Sequence, residues 1–200
     1  NLVDQSIDEY FDTSGVDAAT SVNDRRVASG SNYYYDGTAA STPTVTEDAD
    51  SSGVDGDYTW YKWTTAGSGS YNNDTTQETE YLIVAGGGGG GQDNGGAGGA
   101  GGYLAATGLS LTGGVTYTPS VGLGGAGSAG SQGASGGDSV LSGTGITTLT
   151  AVGGGGGGSG VGTDNGADGG SGGGNNYTNG GAAGAGTAGP PVQGYAGGAG

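Results

Sequence analysis

The sequence predicts a mostly irregular and β fold with no significant α-helix, in which short β-strands lead into a bundle of polyglycine II helices. Three observations predict it. Glycine supplies 55 of the 200 residues, far above the roughly 7% of average proteins. Glycine recurs at every third position through long stretches, a period that neither an α-helix nor a pleated strand has. Short runs of Val, Leu, Ile and Tyr enter the glycine stretches directly.

Composition changes along the chain. Seven glycines fall in residues 1–85 and 48 in 86–200, whereas all three basic residues (Arg25, Arg26, Lys62) and 15 of the 19 acidic ones precede residue 86. The expected organisation is a small β-rich segment over 1–79 and a glycine-rich domain over 80–200. The last residues stop inside a glycine run, so the domain is expected to continue beyond residue 200 in a longer chain.

The first part reads as strands and loops. Asp8–Asp12 is compatible with one helical turn. Ser31–Tyr35 and Thr42–Glu47 read as strands, the latter an edge because of Pro43. Asp48–Asp57 reads as a loop. Asp57–Thr65 is the clearest strand, aromatic and β-branched. Its Tyr58, Trp60, Tyr61 and Trp63 fit the core of a small β domain, or a platform on which a sugar stacks. Asp48, Asp50, Asp55 and Asp57 fit a solvated acidic loop or an incomplete Ca²⁺ site, since their spacing misses the twelve-residue EF-hand loop.

In the second part Glu80–Ala85 runs into Gly86–Gly91, Val115–Val121 into Gly122, and Ile146–Val152 into Gly153–Gly158. The triplet glycines are 95, 98 and 101; 124, 127, 130, 133 and 136; 154, 157 and 160; 166, 169 and 172; and 194, 197 and 200. Three residues per turn is the polyglycine II (polyproline II) geometry. That helix has no internal hydrogen bonds, so its N–H and C=O groups need neighbours. Glycine at the contact edge lets two backbones approach, with Ala, Ser or Asn elsewhere. Collagen uses the same device but needs at least about 15% proline, and this chain has 4 Pro. Read as one helix, residues 122–137 would be about 50 Å long. A flexible low-complexity linker is the competing reading. Against it stand the apolar anchors, among them Leu82, Val84, Leu104, Leu111, Tyr117, Val140 and Val152.

The same composition excludes functions. A net charge of −16 with three cations argues against binding a phosphate backbone. Without Cys or His there is no disulfide framework, no zinc site and no nucleophile–base pair of that kind. No apolar stretch is long enough to insert in a membrane as a helix. The glycine runs lack the Gly-Lys-Ser/Thr of a phosphate loop. A non-enzymatic protein without cofactor or metal is expected.

Three pieces in order resemble the glycine-rich domain of bacteriophage tail-fibre and receptor-binding adhesins. They are Tyr81-Leu82-Ile83-Val84-Ala85 with Gly86–Gly91, then Thr116–Gly127, then Gly136-Gly137-Asp138-Ser139-Val140 leading to Gly153–Gly158. The chain is similar in character to the polyglycine II tip adhesins of T-even-like phages. The resemblance implies a virion component, extracellular, a tail-fibre or fibre-tip adhesin. It would contact a host cell-surface protein or glycan through loops between polyglycine II helices, and associate with fibre subunits or with itself as a homo-oligomer. The alternative is a purely structural subunit of a virion or extracellular filament. The loop residues expected at the contact are Gln92, Asp93, Asn94, Asp164, Asn165, Asn175, Asn176, Tyr177, Gln193 and Tyr195. Turn formation alone also explains Asn, Asp and Pro there.

Overall fold

A computed structural model describes residues 24–29, 32–39, 44–162, 165–178, 180–189 and 191–199, with backbone alone for 24–29 and 32–39. The helical turn considered at Asp8–Asp12 and the contact residue Asp164 lie outside the described residues. Packing divides the chain into Asn1–Thr44 and Val45–Gly200, upstream of the domain boundary expected at 79/80.

Of the first unit, an antiparallel pair is described. β1 (Asp24–Ser29) pairs with β2 (Asn32–Ala39), with a register shift between Asp24 and Arg26. The strand expected to end at Tyr35 continues through Asp36-Gly37.

The second unit has strands at one end. They are β3 (Val45–Glu47), β4 (Ser51–Asp55), β5 (Tyr58–Lys62), β6 (Gly67–Ser68), β7 (Tyr71–Asn73), β8 (Gln77–Val84), β9 (Tyr103–Leu111), β10 (Thr116–Val121), β11 (Ser139–Gly143) and β12 (Leu149–Ala151). One antiparallel sheet has the order β12-β11-β10-β7-β3, with β6 also on β10; β4–β5 and β8–β9 are separate pairs. No α-helix occurs among the described residues, and the fold is mostly strands and irregular segments.

The core is small because few residues are large and apolar. Tyr71, Leu111 and Tyr117 are buried together, with Tyr61, Trp63, Leu109, Leu141 and Ile146 against them. The Tyr71 ring lies 5.3 Å from that of Tyr61 and 6.3 Å, edge-on, from that of Trp63, geometries that suit the aromatic quadrupole. Buried phenols need partners. Tyr117 Oη accepts from the Thr112 N–H at 2.8 Å, and Tyr71 Oη accepts from Gln77 Nε2 at 2.6 Å. The aromatic strand is thus split. Tyr61 and Trp63 face the core, whereas Tyr58 and Trp60 are 66% and 42% exposed. A second cluster, Ala85, Leu104 and Ala151 with Tyr81 and Ile83, sits where the strands become glycine runs. Two expected anchors, Leu82 and Val84, point outward at 64% and 55% exposure, because β8 alternates and its other face takes the core.

The expected loop at Asp48–Asp57 is half strand. Gly53 in β4 faces Trp60 of β5, and a Cβ there would sit 2.6 Å from the indole. The glycine makes room for the ring rather than breaking the strand. Asp48 and Asp50 bracket the next turn. Asp48 Oδ1 accepts from Trp63 Nε1 at 2.9 Å and from the Ser70 N–H at 2.6 Å. Asp50 accepts from the N–H and Oγ1 of both Thr64 and Thr65. The hydrogen bond from Trp63 lowers the Asp48 carboxyl from its ordinary value. The hydrogen bonds from Thr64 and Thr65 lower that of Asp50 further. A carboxylate depressed in the folded state stabilises above its unfolded value, and that contribution fades as pH falls toward the folded value. Thermal stability is therefore expected to drop on acidification below about pH 4. Asp50→Asn should flatten part of that drop, which melts at stepped pH would record.

Candidate functional site

The glycine stretches carry almost no side chains, so their arrangement is read from backbone hydrogen bonds. Nine short segments result: g1 (85–91), g2 (95–102), g3 (122–128), g4 (133–137), g5 (152–160), g6 (166–170), g7 (171–175), g8 (182–187) and g9 (193–198).

Each junction continues a ladder without a slip. β8–β9 ends at Val84 opposite Tyr103. The next bonds are Ala85 N–H to Gly102 O, Gly88 to Gly99 and Gly91 to Gly96, at 2.8–3.0 Å. β10–β11, with Ser120 opposite Val140, continues as Gly137 N–H to Leu123 O and Ala134 to Ala126. β11–β12, with Ser139 opposite Ala151, continues as Gly136 N–H to Gly154 O and Gly133 to Gly157. The step between bonds to one neighbour is now three residues. Exposure changes period with it. It alternates through β8, then recurs at 84, 87 and 90 in g1, at 97 and 100 in g2, and at 182, 185 and 188 around g8.

The centre is g5. Residues 153–159 are all buried. The N–H groups of Gly154 and Gly157 go to g1, those of Gly155 and Gly158 to g7. The other two go to side chains of the g4 region, Asp138 Oδ1 at 2.8 Å and Ser135 Oγ at 3.3 Å. The carbonyls of 152, 155 and 158 accept from g2, those of 154 and 157 from g4, those of 153 and 156 from g6. Every polar group of Gly153–Gly158 is thereby paired, which burial requires.

The same contacts explain glycine at five successive positions, 153–157. A Cβ at 153 or 156 would come 2.0 or 1.8 Å from a carbonyl oxygen of g4; one at 154 or 157, 2.1 or 1.9 Å from one of g2; one at 155, 1.9 Å from Ala167 O. In g1 two faces are closed in this way and the third is open, with Gly87 and Gly90 no nearer than 3.6 Å to anything. In g2 the open face carries Ala97 and Ala100, both exposed.

Two expectations are corrected. Residues 122–137 do not form one 50 Å helix; they reverse at 129–132, where Ser128 Oγ accepts from the N–H of Ser131 at 2.9 Å and of Gly130 at 3.3 Å. In g3 the triplet glycines 124 and 127 are also not the contact edge. Their Cβ positions lie 3.8 Å from the nearest atom, whereas Gly122 and Gly125 face g4 carbonyls at 2.1 and 2.0 Å. The periodicity is right, but at the edge of the bundle the phase is set by which side has a neighbour.

Direction follows from register. g3 and g5 run parallel to g1, g7 parallel to g5, and g9 parallel to g7; g2, g4, g6 and g8 return. The described residues of the reversals, 92–94, 129–132, 161–162 with 165, and 176–178 with 180–181, therefore lie together at the end away from the strands. They are bonded to one another. Gln132 Nε2 donates to Asn165 O at 2.7 Å, and the Ala182 N–H donates to Asn165 Oδ1 at 2.7 Å. The Gly160 N–H reaches Gln92 O at 3.1 Å, and the Tyr177 N–H reaches Asn94 O at 3.4 Å. Asn176 is fully buried. Its Nδ2 donates to Asp93 O at 3.3 Å and Asn94 O at 3.5 Å, and its Oδ1 accepts from the Thr178 N–H.

The expected contact residues sort accordingly. Gln92, Asp93, Asn94, Asn165 and Tyr177 are exposed on this tip. Asn175 and Asn176 are buried; they belong to the scaffold of the tip, with Asn175 Nδ2 donating to Gly181 O. Gln193 lies at the strand end, where its Oε1 accepts from the Val152 N–H at 2.8 Å and its Nε2 donates to Thr150 O at 2.9 Å. Tyr195 lies along the side, its carbonyl accepting from Gly172. Val161, half exposed beside the tip, was not expected there. No sequence signal marks it, since its position depends on where g5 ends. No helix among the described residues is long and apolar enough to cross a membrane.

No curated protein and no solved structure matches the chain. A family model described as a glycine-rich domain matches residues 64–200. That span takes in β6 to β12, every glycine segment and the whole tip, and on this match the chain belongs to the glycine-rich domain family.

Proposed function

We propose that g1–g9 are polyglycine II helices, and that their bundle is a rigid, non-enzymatic stalk presenting its tip to a host cell surface, as a bacteriophage tail-fibre or fibre-tip adhesin. The observation that carries this reading is the convergence of four reversals at one end of a backbone-bonded bundle. The stalk buries glycine and carries few large side chains, whereas the tip gathers amide, carboxylate and phenol groups on a braced frame. Loops on a rigid scaffold are where binding is found. The protein is accordingly extracellular and part of a virion, and its partner is a cell-surface protein or glycan.

The test is adsorption of the labelled full chain to a panel of bacterial strains. Saturable binding to a restricted set is expected. Tyr177→Ala should weaken it at least tenfold, and Leu123→Ala, exposed on the side of g3, should not. Absence of binding to every envelope would defeat the adhesin reading.

A purely structural role in a virion or filament is favoured by a different feature. Leu82, Val84 and Tyr103 are each more than half exposed and adjoin one another at the root of g1 and g2, where a second subunit would cover them. Ordered self-assembly of the purified chain without cells would support that role and a homo-oligomer.

A further inference from the structure

We propose that the Asp93-Asn94 turn and Tyr177 form a binding site for an uncharged saccharide, an inference that rests on the tip being the adhesive end. Asp93 and Asn94 both have φ of 55°, and they are the only non-glycine residues in the left-handed region among the described residues. Glycine takes that conformation without steric cost, and Asn or Asp does so less readily. The chain has 55 glycines and, among the described residues, places one at each other left-handed position, including Gly56, Gly108, Gly114, Gly145, Gly162 and Gly180. Among the described residues, this turn alone keeps two polar side chains instead. Strain of this kind persists where surroundings hold it and is concentrated at functional sites.

The surroundings do hold it. Buried Asn176 donates to the carbonyls of both residues, and the Tyr177 backbone bonds that of Asn94. The turn backbone is thus clamped from beneath, while the Gln92, Asp93 and Asn94 side chains face solvent. Tyr177, at 79% exposure, follows the clamp directly and adds an aromatic face beside a carboxylate and two carboxamides.

That set matches a sugar better than a protein. Carboxylate and carboxamide groups bond hydroxyls, and a phenol ring covers the apolar face of a pyranose while its hydroxyl stays wet. Protein hot spots need a desolvated core of large apolar side chains, and beside Tyr177 the tip offers only half-exposed Val161. Charge narrows the sugar class. No Lys or Arg follows Lys62, so sialylated, uronic or phosphorylated glycans meet carboxylates with no cation to offset them.

The experiment is an array of immobilised neutral oligosaccharides, with sialylated and phosphorylated ones alongside, probed with the full chain. Binding confined to neutral members is expected. Asn94→Gly and Asp93→Gly should each weaken it at least tenfold while the melting temperature holds or rises, since glycine relieves the left-handed turn. Loss of binding therefore cannot be ascribed to unfolding. Preference for charged glycans, no array binding, or full glycan binding by both glycine variants would overturn the proposal. Cell adsorption that protease treatment of the cells abolishes and periodate spares would identify a protein receptor; the adhesin reading would then stand and this one fall. No adsorption to any cell would remove both.

Discussion

Gly156→Ala is expected to unfold the glycine-rich unit or to lower its stability by roughly 4 kcal/mol or more. The added methyl would sit 1.8 Å from Gly133 O and 2.6 Å from its carbonyl carbon. Those are backbone atoms of g4, not the end of a side chain that can swing aside. Relief requires g4 to move, and g4 is bonded through Gly133 and Gly136 to g5 and through Ala134 and Gly137 to g3. The cost therefore spreads through shared hydrogen bonds. The contrast is Gly87→Ala or Gly124→Ala, whose methyls would lie 3.6 and 3.8 Å from the nearest atom. These positions have ordinary backbone angles, so restricting the unfolded chain should stabilise by about 0.4–1 kcal/mol. Thermal melts of the three variants check both signs. Glycine-to-alanine changes in different runs thus differ by about 5 kcal/mol, comparable to the whole margin of the least stable small domains.

Asn176→Ala is expected to cost about 2–4 kcal/mol and to loosen the tip without loosening g5. The side chain is fully buried and links the g7–g8 reversal to the g1–g2 reversal. Its removal takes the side-chain partner from the Asp93 carbonyl and the Thr178 N–H, leaves the Asn94 carbonyl with the Tyr177 N–H, and removes the side-chain part of the clamp on two left-handed residues. Denaturant melts should show the loss. Amide exchange should rise at residues 92–94 and 177–178 and stay slow in 153–158. Adsorption to cells should fall in parallel, because the groups at the contact would no longer be held in one arrangement.

What the sequence made legible is what side chains or their absence encode. The strands at Tyr81–Val84, Tyr117–Val121 and Leu149–Ala151 show in β-branched and aromatic residues, and the period of the bundle shows in the spacing of glycine. β4 was hidden because Gly53, Asp50 and Asp55 are turn residues by propensity; the glycine answers to Trp60, a partner across the ladder. β9 was hidden because Gly108, with φ of 74°, interrupts it next to a register shift opposite Thr79–Tyr81. The reversal at 129–132 rests on a serine hydroxyl inside an otherwise continuous glycine period. Pairing among glycine runs was illegible for a deeper reason. A glycine segment fits any other in either direction, so its partner is chosen outside it, by the register of β8–β9, β10–β11 and β11–β12. Asp138, Ser135 and Gln193 complete the choice by filling donor and acceptor positions at the root where no backbone group reaches. The tip inherits its layout from those ladders. Gln92 to Asn94 could be expected to meet Tyr177 only once they were known.

Residue-resolved amide exchange along g3 tests the bundle most directly. Gly122, Gly125 and Ser128 donate inward, to Ser139 Oγ, Gly87 O and Gly90 O, while Gly124 and Gly127 are exposed. Slow exchange at every third amide, with uniform protection of Gly153–Gly158, is the result that stacked three-fold helices require. Slow exchange at every second amide of g3 would mean a pleated edge strand, and fast exchange throughout would mean a linker; either contradicts the account.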